Sequence, residues 1–149
     1  GTADRIDVDN EGHAVVLDYK ASVSPEHELA VREEGRLGKV QTLIYAQVAR
    51  RMLGLNPVGA LYVCYGKRCA VTGAYDATVL ESPHLPFMRH DKCEFAPRDG
   101  ESFADLLDRT EEAIARGVER MLSGDVRPDP SSPHACTWCP VLSCAERRA

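Results

Sequence analysis

Val15-Val16-Leu17-Asp18-Tyr19-Lys20 is the stretch on which the reading of this chain turns. Residues 14–20 alternate as a strand does, with Val16, Asp18 and Lys20 on one face and Val15, Leu17 and Tyr19 on the other. Just upstream, 2–9 alternates in the same way, setting Thr2, Asp4, Ile6 and Val8 against Ala3, Arg5, Asp7 and Asp9. Asn10-Glu11-Gly12 between them is a turn signal, so the two runs predict an antiparallel hairpin. An acid in an otherwise apolar row is costly to desolvate unless something pairs with it. Asp4 and Asp18, on neighbouring strands, would converge on one spot with Lys20. Neighbouring carboxylates resist joint ionisation unless a cation sits between them. Mg²⁺ or Mn²⁺ suits such a place, because hard divalent cations take carboxylate, carbonyl and water oxygens. The lysine could then orient or activate a water, or steady charge building on a phosphate. The same residues also fit a plain hairpin with surface carboxylates and an Asp–Lys pair.

Outward from the hairpin, residues 22–34 are polar and predict a loop. From Leu37 the apolar positions 37, 40, 44, 48 and 52 have helical spacing, with Gly54 and Pro57 as stop signals. Residues 58–65 read as a strand, Gly66-Lys67-Arg68 as a turn and 69–72 as a returning strand. Residues 76–100 carry three prolines and no clear period, and are read as irregular. A second helix is expected over 103–123, with Ser102 and Asp105 as its N-cap pair and Gly124 just past its end. Its apolar stripe is 103, 107, 110, 114, 118 and 121. The proline-rich run 127–133 then acts as a stiff linker. There are no internal repeats, and the element order is that of an α/β or α+β fold.

The chain's 149 residues suggest one ordinary domain, or one with a small appendage. At 44% hydrophobic and 28% charged it can bury a core and lies far from disordered composition. No run approaches the ~18 consecutive apolar residues of a membrane helix, and no basic, then apolar, secretory leader opens it. A net charge of −5 argues against a general nucleic-acid coat, but not against a local basic groove or a metal-neutralised acidic site. Six cysteines stand at 64, 69, 93, 136, 139 and 144. Without a leader a disulfide framework is not expected, so the three C-terminal cysteines read first as metal ligands. Cys64, Cys69 and Cys93 are expected to pack as small apolar residues. The abrupt start inside a strand suggests a piece of a longer chain.

Gly1-Thr2-Ala3-Asp4-Arg5-Ile6-Asp7, followed by Val15-Val16-Leu17-Asp18-Tyr19-Lys20, resembles the core of the PD-(D/E)XK nuclease superfamily. Within it the pattern is most similar to the RecB and AddB nuclease domains, with the CRISPR-associated four-cysteine exonucleases as relatives. Gln41 and Tyr45, as Gln-x-x-x-Tyr on the following helix, match that branch's next motif and would lie one turn apart on one face. The resemblance implies a restriction-endonuclease-like core, a mixed sheet flanked by helices, over 1–126, with linker and cysteine segment over 127–149. It implies that Asp4, Asp18 and the Tyr19 backbone carbonyl hold Mg²⁺ or Mn²⁺, that Lys20 is the catalytic lysine, and that Gln41 and Tyr45 line the site. Asp7 matches a frequent second acid of the first motif, although by strand face Arg5 and Asp7 read as a structural ion pair. The implied activity is metal-dependent hydrolysis of DNA phosphodiesters, by in-line attack of water.

The cysteine segment, Cys136-Thr137-Trp138-Cys139-Pro140-Val141-Leu142-Ser143-Cys144, supplies three thiolates and leaves a tetrahedral site one ligand short. In the branch it resembles, these three join an upstream cysteine to hold a [4Fe–4S] cluster. His134 offers a rival closure that would suit Zn²⁺. Two features of that branch are not found in these residues: the helix upstream of the first motif, with its additional acid or histidine, and any G-x-x-x-x-G-K-[ST] motor motif. The leading expectation is a DNA exonuclease domain of a cytoplasmic helicase–nuclease in double-strand-break repair and recombination, working beside a partner subunit or domain. A DNA-holding nuclease fold without cleavage and a zinc-knuckle interaction module are the alternatives. Lys20, Lys39, Arg50, Arg51, Lys67 and Arg68 make only a modest basic surface, so DNA affinity should be weak and steeply salt-sensitive.

Overall fold

The hairpin forms as two unequal strands, β1 (Arg5–Val8) and β2 (His13–Lys20), paired antiparallel with Ile6 opposite Val16. In the computed structural model the described residues are 1–22, 39–66, 70–76, 78–79, 100–125, 127–128, 133–137, 139–145 and 147. β1 is shorter than the 2–9 alternation predicts. Pairing stops at Arg5 and Leu17, leaving Thr2, Ala3 and Asp4 outside the ladder. Helix α1 (Gln41–Leu53) starts four residues after Leu37, and Gly54 closes it in the left-handed conformation (φ 65°), which glycine adopts without a Cβ penalty. Pro57, expected as a stop signal, instead lies inside β3 (Asn56–Cys64), next to the register shift between Ala14 and Val15 on β2. Prolines are tolerated at such irregularities because they have no ladder N–H to donate.

β3 runs parallel to β2, with Asp18 opposite Tyr62 and Lys20 opposite Cys64. β4 (Ala70–Tyr75) returns antiparallel and runs three residues past the expected end at 72. The result is one mixed four-stranded sheet in the order β1-β2-β3-β4, with α1 as the crossover between its two parallel strands. This is the α/β architecture expected. The core gathers Val16, Ala60, Tyr62 and Ala74 from the sheet, Leu43 and Ala46 from α1, and Phe103, Leu106 and Leu107 from α2 (Phe103–Leu122).

Ser102 and Asp105 cap α2 reciprocally. The Asp105 backbone N–H donates to Ser102 Oγ at 3.1 Å, and the Ser102 N–H donates to Asp105 Oδ2 at 2.9 Å. The apolar stripe of α2 is only partly as expected. Phe103, Leu107 and Thr110 are buried, joined by Leu106 and Ala113, whereas Val118 and Met121 are exposed. Contacts divide the chain into Gly1–Ile114 and Ala115–Ala149, the boundary falling within α2. In the first unit Arg50 pairs with Asp108 at 2.9 Å and Arg51 with Glu111 at 2.6 Å, so α1 is tied to α2 at its polar edge. The second unit holds the end of α2, the short helix α3 (Pro133–Thr137) and the three C-terminal cysteines. Pro133, read as part of the linker, is thus the first residue of α3, a position that needs no backbone N–H.

Candidate active site

The hairpin register, extended one residue past its last pair of Arg5 and Leu17, sets Asp4 against Asp18. The two acids differ sharply in environment. Asp18, on the central strand, is 2% exposed, while Asp4 lies beyond the last ladder pair and is exposed. Asp4 is nonetheless held, its Oδ2 accepting the Tyr19 backbone N–H at 2.8 Å, which closes the end of the hairpin where the ladder has stopped. The expectation that both acids sit in a buried apolar row therefore holds for Asp18 and not for Asp4.

Asp18 Oδ2 is a buried oxygen ion-paired with the Lys20 ammonium at 2.5 Å. The Asp18 carboxylate raises the Lys20 pKa above its ordinary value against the opposing effect of burial, so the amine is charged at neutral pH. Lys20 Nζ also donates to Gln41 Oε1 at 3.1 Å, and Gln41 Nε2 donates to the Tyr45 hydroxyl at 2.9 Å. Gln41 opens α1 and Tyr45 follows one turn later, so the helical spacing builds the relay. The relay reaches the chain's first residue. A Cβ on Gly1 would stand 2.6 Å from the Tyr45 hydroxyl oxygen, so Gly1 lies against the tip of that side chain. Asp4, Asp18, Lys20, Gln41 and Tyr45 are thereby linked to one end of the β1–β2 hairpin, with Tyr19 supplying backbone there.

Asp7 lies on the other strand face and pairs with Arg5 at 2.7 Å, as an exposed structural pair. At the opposite end of the hairpin, Asp9, Glu11 and His13 bring three ligand atoms within 4.8 Å of one another, a group that the spacing arguments did not single out. Asp9 Oδ1 accepts the Glu11 and His13 backbone N–H groups at 2.8 and 2.9 Å, and its Oδ2 meets His13 Nδ1 at 2.9 Å. The missed signal was Asp-x-x-x-His across a turn. An apolar groove runs between α1 and α2, lined by Leu43, Ile44, Val48, Met52, Leu107 and Ile114, and none of the hairpin acids borders it.

Of the cysteines, Cys64 is buried in β3 as expected, its thiol donating to the Ala21 carbonyl at 3.4 Å, and Cys69 and Cys93 lie outside the described residues. Cys136 is buried and Cys139 and Cys144 are half-buried free thiols. Among the described residues their sulfurs do not form a group within 4.8 Å. Arg147 ties the segment together, donating to the Cys139 and Val141 carbonyls at 3.3 and 3.2 Å. The side chain of His134 lies outside what is described.

A mixed sheet whose first hairpin ends in two carboxylates and a lysine defines the restriction-endonuclease-like class of α/β folds. The chain matches the PD-(D/E)XK nuclease superfamily over residues 1–144 and belongs to it. No curated protein and no solved structure matches the chain. Enzymes of this superfamily are nucleases that use divalent metals, and no helix among the described residues is long and apolar enough to cross a membrane.

Proposed function

We propose that this chain is a metal-dependent DNA exonuclease domain, belonging to a RecB- or AddB-type helicase–nuclease that acts in double-strand-break repair and recombination. The observation that carries the catalytic part is the Asp18 carboxylate, buried and ion-paired through one oxygen with a charged lysine at 2.5 Å. A buried carboxylate at a hairpin end that also carries Asp4 suits a hard divalent cation, which the two acids would share. Asp4 and Asp18 would hold Mg²⁺ or Mn²⁺, with the Tyr19 backbone carbonyl assisting. When bound, the ion supplies a Lewis acid for the scissile phosphate and a water acidic enough to attack it. Lys20 offers a positive charge to the phosphate and steadies negative charge as it builds there. Gln41 holds Lys20, and Tyr45 holds Gln41. DNA is the substrate, and a helicase or nuclease partner would supply the strand path that this chain's modest basic surface does not.

For Cys136, Cys139 and Cys144 the reading is three of the four ligands of a [4Fe–4S] cluster, the fourth coming from elsewhere in the parent, with Zn²⁺ as the alternative occupant. The domain is assigned to the cytoplasm, where free thiols and a cluster persist.

The test is calorimetric titration of Mn²⁺ into the chain beside Asp4→Ala and Asp18→Ala. Binding that either substitution abolishes supports one site shared by the two acids. Retained binding in both would refute the assignment. Cleavage of labelled DNA by the metal-loaded protein then separates an enzyme from a fold that only holds DNA.

A further inference from the structure

We propose that Tyr62, in the middle of β3, is the positioning residue that sets the Lys20–Gln41 pair. The proposal rests on the nuclease reading and deepens it. Tyr62 is fully buried and is the parallel-strand partner of Asp18. Its ring lies under the Lys20 ammonium, 5.9 Å from nitrogen to centroid, within the range of a cation–π contact. Its hydroxyl leaves the sheet altogether. It donates to the Lys39 carbonyl at 3.1 Å and accepts the Thr42 backbone N–H at 3.4 Å.

Those two partners flank Gln41. A helix begins with backbone N–H groups that have no partner inside the helix, and the residue before the first turn ordinarily satisfies one with a side-chain oxygen. Here that residue is Val40, which has no such oxygen and makes no side-chain cap. Tyr62 takes over the task from 20 residues away and caps the second helical residue from the sheet. Burial raises its pKa, so the hydroxyl keeps the proton it donates to Lys39. One side chain thus fixes three things: the neighbouring strand that carries Asp18, the apolar surface below Lys20, and the start of the helix that presents Gln41 to Lys20. Removing the hydroxyl leaves the ring in place but frees the first turn of α1, and Gln41 with it.

The experiment is a double-mutant cycle of Tyr62→Phe and Gln41→Ala in the full chain. It is read as Mn²⁺-dependent cleavage of a labelled DNA oligonucleotide, with Mn²⁺ affinity and the amide spectrum as controls. Tyr62→Phe should lower kcat about tenfold and leave KM and metal affinity unchanged, because a misplaced group costs rate rather than binding. In the Gln41→Ala background the same change should cost less than about twofold, since both act through one contact. Full additivity, an effect on KM alone, or an unchanged kcat overturns the proposal. If the unsubstituted chain cleaves nothing with Mn²⁺ bound, the nuclease reading is what has failed, and the positioning is then decided by NMR on the metal-free protein. Exchange of the Thr42 amide should quicken in Tyr62→Phe, and the Gln41 side-chain amide resonance should move as it does in Lys20→Met. A Gln41 resonance unmoved by Tyr62→Phe overturns it as surely as the kinetics would.

Discussion

The two ends of one hairpin carry two clusters of charged groups, and they have opposite characters. At the turn, Asp9 is exposed and its oxygens are spoken for: two backbone N–H groups on one, a histidine nitrogen on the other. At the far end Asp18 is buried at 2% exposure, with one oxygen ion-paired to the Lys20 ammonium at 2.5 Å. Counting ligand types alone would favour the turn, which gathers three possible donors within 4.8 Å. Physical chemistry favours the other end. An exposed carboxylate whose acceptors are used by its own loop is making a turn, whereas a buried charge held against a lysine carries a desolvation cost that needs a reason.

The comparison breaks most directly at Asp18. Asp18→Asn keeps the shape and removes the charge, and it should abolish both Mn²⁺ binding and cleavage. If calorimetry instead shows metal retained in Asp18→Asn and lost in Asp9→Asn, the assignment of the two ends must be exchanged. Lys20→Met sharpens the same end. It should leave Mn²⁺ affinity equal or higher, because a positive neighbour has been removed, while cleavage falls by about 10²–10³-fold, the range for losing one group that stabilises transition-state charge. A parallel loss of metal would mean that Lys20 organises the acids rather than the reaction.

The two ends also differ in how legible they are in the amino-acid order. Strand alternation and the spacing from Asp4 to Lys20 are local, so hairpin and acids could be read directly, and Gln41 with Tyr45 needed only the helical repeat. Three things were not readable, each for a non-local reason. The start of α1 was misplaced because its cap is a tyrosine on β3, not a residue before the helix. Asp4 was expected in a buried row, but ladder pairing ends at Arg5, so it meets solvent. Val118 and Met121 continue the apolar period of α2 and yet are exposed. Periodicity reports which face a residue is on, and says nothing of whether another element arrives to cover it.

At the turn, smaller effects are expected. Asp9→Ala should leave cleavage within about twofold, as for a surface change remote from the chemistry, and lower the thermal midpoint by a few degrees, because two backbone donors lose their acceptor. A loss of cleavage comparable to that of Asp18→Asn would make the turn part of the site.

The smallest expected effect is a pH dependence whose sign differs between the ends. The hydrogen bond from His13 lowers the Asp9 pKa below its ordinary 3.8. A group whose folded pKa is depressed stabilises the fold above its unfolded value, and that contribution disappears as the pH falls through the folded value. The turn should therefore weaken in acid, below about pH 3.8, and Asp9→Asn should flatten that limb of the stability curve. Lys20 behaves inversely. Its pKa is raised above 10.5, chiefly by Asp18, so its contribution is complete below 10.5 and is lost only as the pH rises through the folded value. Urea melts across the pH range should show Asp9→Asn changing the acid limb and sparing the alkaline one, and Lys20→Met removing the alkaline loss. An alkaline limb that moves in Asp9→Asn would mean that the hairpin responds as a single electrostatic unit. The contrast between the exposed turn and the buried ion pair would then be one of burial without a separate electrostatic origin.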